Sequence, residues 1–405
     1  MSYYFGGVNM TKIFLSHSSK DKVSYVEPVY KRLCSKFGKS RVIIDEFSFE
    51  EGRKTVEEIE LNISQSDLIV LFLSSDALNS TWVQKEYELA KKMMQERTCQ
   101  VCPLIITDDL FYDDVRIPDW LRNDYNIQKI TSTRKAADII SERLYEIISE
   151  KNPKLALLNS IFVGRNDFLN ILEERLDDFS KECPRVLIAS GISGVGRKTF
   201  LRRGVIKSTI VKESFSFPEI SLNYVESIED FILKLSDLGF SPSIEFPEII
   251  TMTLEQKIKK LVGVMKILQD NHEIVVIRDE GCIINHEGAM SEWFCDAISS
   301  FELENTITFL VTSKFKYIKN KSFESYYFDI ALPELSMKER SGLLNRLLTV
   351  EEIDISSTEK ESIAKLLSGY PKQIHYAVRM LKELGLERFD KERYKIIDFG
   401  SKNAV

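Results

Sequence analysis

At 405 residues the chain is longer than one ordinary core supports and suits two or three domains. Apolar residues make up 43% and charged ones 29%, and 55 basic against 62 acidic residues leave a net charge of −7, which gives no support for broad nucleic-acid binding. No run approaches the ~20 apolar residues of a membrane span, the first residues lack a secretory pattern, and six cysteines are few for the length. A cytoplasmic protein without membrane or nucleic-acid partners is expected.

Residues 12 to 149 alternate strand and helix signals. Lys12–Ser16 is a short apolar run, Asp21–Phe37 a helical pattern, Arg41–Asp45 a second strand and Thr55–Ile63 a short helix. Asp67–Leu73 is the most apolar strand and is expected at the sheet centre. A helix from Thr81, a strand over Cys99–Ile106, a short strand over Ile127–Ile130 and a helix over Thr133–Ile148 follow. Five apolar strands separated by helices predict a doubly wound parallel sheet, whose ligands bind beyond the carboxyl ends of the strands. The loops there are polar: Ser16-His17-Ser18-Ser19, Asp45 through Gly52, and Ser74-Ser75-Asp76.

The helix from Thr81 shapes the functional reading. Thr81 with Gln84 fits a capping box, and Val83, Tyr87 and Ala90 have the spacing of a buried face. Trp82 and Glu86 then share one side. Packing accounts for such a pair by itself, because tryptophan suits a core edge and glutamate near a helix N-terminus is favoured by the macrodipole. The lone Cys99-Gln-Val-Cys102 lies in a strand, and His17, His272, His286 and His375 are scattered, so no metal site is expected.

Ile13-Phe-Leu-Ser-His-Ser-Ser-Lys-Asp21, Ile44-Asp45 with Glu51-Gly52, Ser66-Asp67 into Leu73-Ser74, and Trp82-Val-Gln-Lys-Glu86 resemble the successive signature boxes of a Toll/interleukin-1 receptor (TIR) domain. The tryptophan-to-glutamate box is similar to that of NAD-cleaving members. The resemblance implies a flavodoxin-like α/β sheet over residues 1–151, with NAD+ as substrate and Glu86 as the catalytic residue. It also implies that the loop Glu46–Lys54 serves self-association and covers the nucleotide; from their place at the crevice Ser16, His17, Asp45, Phe49 and Trp82 are the candidate NAD contacts, with strand capping the alternative for Asp45 and packing that for Phe49 and Trp82.

Residues 152–160, which begin Asn152-Pro153, read as a linker. Beyond them, Arg185–Ser190 is a strand feeding into Gly191-Ile-Ser-Gly194-Val-Gly196-Arg197-Lys198-Thr199. Strand, glycine-rich turn and helix is the context in which backbone N–H groups surround a phosphate. Ile274–Asp279-Glu280 is a strand ending in two carboxylates suited to Mg2+, and Ile307–Lys314 another with a polar tip. Ser336–Leu347, Ser357–Leu367 and Pro371–Leu384 are helical. These features, with Phe162-Val-Gly-Arg165, Leu332-Pro-Glu-Leu-Ser336 and Gly369-Tyr-Pro371, resemble the STAND (NB-ARC and NACHT-like) class of P-loop NTPases. That implies an NTPase domain over 161–331 and a helical lid over 332–405, with ATP or ADP and Mg2+ at Gly191, Gly194, Gly196, Arg197, Lys198, Thr199, Asp279 and Glu280. The glycine-lysine-serine/threonine of that class is here Gly196-Arg197-Lys198. Arginine therefore takes the lysine slot and lysine the Mg2+-hydroxyl slot, which leaves backbone cradling possible and hydrolysis doubtful.

Together these resemblances imply an oligomerisation-gated NAD+ hydrolase serving immune or antiphage defence. Relatives continue into a repeat array that senses the trigger, so either this is a fragment or a separate sensor protein does that work. A non-catalytic TIR scaffold and an ATP-dependent assembly switch are the alternative readings.

Overall fold

The computed structural model describes residues 11–44, 61–96, 99–178, 180–213, 215, 217–239, 246–318 and 325–402. The chain divides into two units after Pro153. In the first, β1 (Ile13–Ser16), β2 (Val42–Ile44), β3 (Leu68–Leu73), β4 (Gln100–Ile105) and β5 (Gln128–Lys129) form one parallel sheet in the order β2-β1-β3-β4-β5. The described helices are α1 (Glu27–Phe37), α2 (Ser75–Asn79), α3 (Thr81–Gln95), α4 (Asp119–Asp124) and α5 (Thr133–Lys151).

The continuous apolar runs follow from helices covering both faces. Ile13, Leu15, Leu68, Val70 and Phe72 join Val29 and Leu33 of α1 and Ile140 and Leu144 of α5 in one core. Phe14, Ile69, Leu71 and Leu73 join Val83, Tyr87 and Ala90 of α3 in the other. A slip of one residue would exchange the two sets, and each such side chain contributes about 1.5–3 kcal/mol through burial, so the register is firmly held. The strand order reverses between β1 and β3, which makes the carboxyl ends of these two strands the ligand crevice of such a sheet.

In one detail the sequence reading is corrected. The N-cap of α3 is Ser80, whose side chain accepts from the Val83 N–H, whereas the Gln84 side chain donates to the Leu78 carbonyl. The five-residue α2 ends at Asn79 directly ahead of it, so Ser80 is the extended residue that a cap requires. Asp45, Phe49, the loop Glu46–Lys54 and most of the expected helix Thr55–Ile63 fall outside the described residues.

The stretch expected as a linker forms α6 (Pro153–Ser160), with none of its residues fully buried. In the second unit α7 (Asn166–Leu176) precedes a parallel sheet of β6 (Val186–Ser190), β7 (Glu219–Asn223), β8 (Val275–Glu280), β9 (Phe309–Ser313) and β10 (Tyr327–Ala331), in the order β10-β6-β9-β8-β7. Helix α8 (Arg197–Lys207) follows β6, and α9 (Ile228–Asp237), α10 (Phe246–Thr251), α11 (Leu254–Asp270) and α12 (Glu292–Ile298) come before β9. Beyond β10 the chain is helical: α13 (Met337–Glu351), α14 (Ser357–Leu366), α15 (Pro371–Leu384), α16 (Leu386–Lys391) and α17 (Tyr394–Lys402). These helices have their own core around Leu344, Leu347, Ile374 and Phe389, which Leu158 of α6 also joins.

Two features tie this unit together. The buried Arg185 guanidinium donates to four backbone carbonyls, those of Ile298 (2.6 Å), Ser300 (2.8 Å), Leu303 (2.5 Å) and Glu304 (3.0 Å), closing the segment after α12 onto the start of β6. Helices α7 and α8 meet at Gly204, where a Cβ would lie 2.3 Å from Leu172 Cδ2.

The cysteines are free thiols. Burial pushes Cys99 and Cys295 up to about 11 and Cys102 and Cys282 up to about 12. Only the thiolate reacts. Thiol titration with a maleimide near neutral pH is therefore expected to leave these four unlabelled in the folded chain, while the denatured chain yields all six. Fast labelling of Cys102 in the folded chain would contradict the burial of β4.

Candidate active site

Helix α3 packs by Val83, Tyr87 and Ala90, and this brings the adjacent Glu86 against the end of β1. Glu86 is 2% exposed and accepts a hydrogen bond from the Ser16 hydroxyl at the last residue of β1. A carboxylate taken out of water needs such a donor, because burial without one costs several kcal/mol. Glu88, two residues on, is exposed, as the helix period requires.

The residues around this pair are polar and buried. His17 is buried and its Nδ1–H donates to the Leu15 carbonyl at 3.1 Å. Ser74, the first residue past β3, donates to Asp21 Oδ2 at 2.5 Å while its Oγ accepts from the Ala77 N–H at the start of α2. Burial raises the Asp21 carboxyl above its ordinary value, partly offset by the Ser74 bond. The Tyr87 hydroxyl is fully buried without a hydrogen-bond partner, and burial followed by the charges of Glu86 and Asp21 raises its pKa. Trp82 lies one turn before Glu86, half-buried against the core, with the Lys85 ammonium 4.7 Å from its ring centroid.

The structure thus brings Ser16, His17 and Glu86 to one end of β1, with Trp82 one helical turn away. Asp45 and Phe49 are outside the described residues. The Asp21–Ser74 pair was not singled out from the sequence. Its signal was legible: a serine directly after a central strand, three residues ahead of Ala77, is an N-cap pattern.

In the second unit the loop after β6 has the conformation its glycines allow. Gly191, Gly194 and Gly196 have φ of 145°, 88° and 92°, so side chains there would be strained. The Gly191 N–H donates to the Ser313 carbonyl at the tip of β9, and the Lys372 N–H at the start of α15 donates to the Gly194 carbonyl at 3.3 Å. Arg165, missed as a loop contact, reaches the same loop, donating from Nη2 to the Val195 carbonyl. Lys198 is ion-paired with Glu219, and Thr199 is exposed. Asp279 is buried at the end of β8, and Glu280 pairs with Arg278 at 2.8 Å and lies 3.7 Å from the Lys314 ammonium. Among the described residues no group of three or more His, Cys, Asp or Glu is placed to hold a metal ion, and no helix is long and apolar enough to cross a membrane.

The TIR domain family matches residues 13–141. Over 139 residues the chain is 30% identical to the NAD(+) hydrolase TirS of Staphylococcus aureus, which covers 34% of this chain and 47% of that protein. The chain therefore spans about half the length of that curated relative. Similar solved structures include a STAND protein with a tetratricopeptide repeat sensor from Pyrococcus horikoshii, at 15% identity and a TM-score of 0.38 over 58% of this chain and 33% of that one. A Walker-type ATPase of Pyrococcus abyssi is 15% identical with a TM-score of 0.40, covering 58% of this chain and 72% of that one. Residues 13–141 thus match the TIR domain family, and the same polypeptide continues into a second parallel α/β unit followed by helices.

Proposed function

We propose that the first unit cleaves the nicotinamide–ribose bond of NAD+, with Glu86 as the catalytic carboxylate. The observation that carries this reading is the burial of Glu86 at the switch point of the sheet, held by the Ser16 hydroxyl. The likeness to an NAD(+) hydrolase over the same stretch supports it.

The chemistry asks for little. Ordinary glycoside hydrolysis needs two carboxyl groups, one of them to protonate the leaving oxygen. In NAD+ the nicotinamide is already cationic and leaves neutral, so no general acid is required. One carboxylate beside the ribose can accept hydrogen bonds from its hydroxyls and stabilise the positive charge that develops on the sugar. Dry surroundings strengthen that interaction. Trp82 offers a flat face near the carboxylate, and Ser16 positions it.

Self-association of the TIR domain completes the site, and the second unit controls that association. Loss of NAD+ from a host cell suits a role in defence. The test is NAD+ consumption measured across size-exclusion fractions of the full chain. Turnover per molecule is expected to rise with the assembled fraction. Assembled protein that leaves NAD+ intact would favour the scaffold reading, and equal turnover in monomer and assembly would remove the gating.

A further inference from the structure

Two guanidinium groups beside the glycine-rich loop of the second unit keep buried N–H groups that no acceptor takes, and the loop lacks the ligands a magnesium ion would need. The two facts point the same way.

The cationic side comes from two arginines. Arg197 is the first residue of α8, immediately after Gly196, and burial, followed by the nearby charge of Arg278, pushes its pKa down against the opposing charges of Glu280 and Asp279. Its Nη1 is buried without a hydrogen-bond partner. Arg165 is 5% exposed, and its Nη1 lies 3.4 Å from where a Cβ on Gly196 would be. Its Nη2 donates to the Val195 carbonyl, while its Nε is buried and unpartnered. Burial pushes this guanidinium down to about 10, against the opposing charge of Glu339. Glu339 is itself committed, accepting from the Arg165 N–H at 2.6 Å and from Ser336 in the cap of α13. Buried guanidinium N–H groups left unsatisfied are costly unless an acceptor arrives. An anion seated on the loop's N–H groups would supply one.

The magnesium side does not fit. Mg2+ demands near-ideal octahedral oxygen coordination. In the slot where a hydroxyl would bind the ion stands Lys198, whose ammonium is on Glu219. The Asp279 carboxylate is already saturated. It accepts the N–H groups of Gly281 (3.2 Å), Cys282 (2.9 Å), Ile283 (2.8 Å) and Ile284 (3.0 Å), and the Ser313 hydroxyl bonds it as well. A carboxylate has about four lone-pair sites, and these donors fill them. Glu280 is left between Arg278 and Lys314, two cations that repel a third.

We propose that the loop Gly191–Arg197 binds a di- or triphosphate without a divalent cation, with the guanidinium groups of Arg197 and Arg165 as counter-charge, and that it does not turn the ligand over. Binding then acts as a fixed structural occupancy and not as a hydrolytic timer. This inference concerns the second unit and stands whether or not the first cleaves NAD+.

The test is calorimetric titration of the full chain with ADP and, separately, with inorganic pyrophosphate, in EDTA and in Mg2+, alongside phosphate release from ATP in Mg2+. Affinity in EDTA is expected within about threefold of that in Mg2+, with no phosphate release. Binding of pyrophosphate as tight as that of ADP would assign recognition to the phosphates alone, and preference for ADP would add the nucleoside. Arg197→Ala, with a melting curve showing that it folds, is expected to weaken binding by about tenfold or more. The proposal is overturned by a weakening of about tenfold or more on removing Mg2+, by steady phosphate release, by no binding of either ligand, or by native affinity in folded Arg197→Ala. The comparison in EDTA and Mg2+ uses the native chain, so it decides the matter even if the variant does not fold.

Discussion

Glu86→Gln is expected to lower NAD+ turnover on the order of 100-fold or more, because it removes the negative charge that opposes the developing cation. The amide has the shape of the carboxylate and keeps an oxygen to accept the Ser16 hydroxyl, so the fold should persist. Glu88→Gln on the exposed face of the same helix is the control, with turnover within about twofold of native. Ser16→Ala separates positioning from catalysis. Removing a hydrogen bond to a charged group should cost about tenfold, with the fully buried β1 otherwise unchanged. Assembled protein should be used throughout. Equal turnover in the Glu86→Gln and Glu88→Gln proteins would end the catalytic assignment.

The largest effect on stability is expected at Arg185. Arg185→Ala leaves four carbonyls, those of Ile298, Ser300, Leu303 and Glu304, without the donor that gathers them. A buried acceptor left unsatisfied costs about 1–3 kcal/mol, and partial relaxation of the segment toward water recovers some of the sum. The net loss should be about 4 kcal/mol, or roughly 10 °C in the melting midpoint of the second unit. Arg185→Lys should rescue little, since a point ammonium cannot span four acceptors that a planar fork reaches. Arg379, 65% exposed on α15, supplies the control: Arg379→Ala should change stability by no more than about 0.5 kcal/mol. A melting midpoint for Arg185→Ala equal to that of the control would show that the carbonyl cluster is satisfied another way.

The parallel sheets were legible because their central strands are apolar on both faces, a pattern that survives without knowledge of the neighbours. The edges were not. Strand β7 is Glu219-Ile-Ser-Leu-Asn223, with only its second and fourth residues buried, and β10 carries Asp329 in its middle. Both border the sheet, where half of each strand faces outward and apolar runs are not required. Glu86 could be singled out because helical spacing and a family box agree on it. Its bond to Ser16 could not, since it depends on how α3 crosses the end of β1, 70 residues earlier in the chain. Asp279 shows the limit more sharply. A carboxylate at a strand end reads as a metal ligand, but the left-handed Gly281, with φ of 120°, turns the next backbone N–H groups back onto it. Residue type alone does not reveal that competition.

The meeting of α7 and α8 at Gly204 has a mechanical consequence. Arg165 is the N-cap residue of α7 and the glycine-rich loop leads into α8, so the residue that grips the loop and the loop itself stand at the starts of two helices that pack at Gly204 and are tied again by Lys207 to Asn170 and Glu173. A methyl group at Gly204 would force Leu172 aside and prise the two helices apart without touching a single residue of the loop.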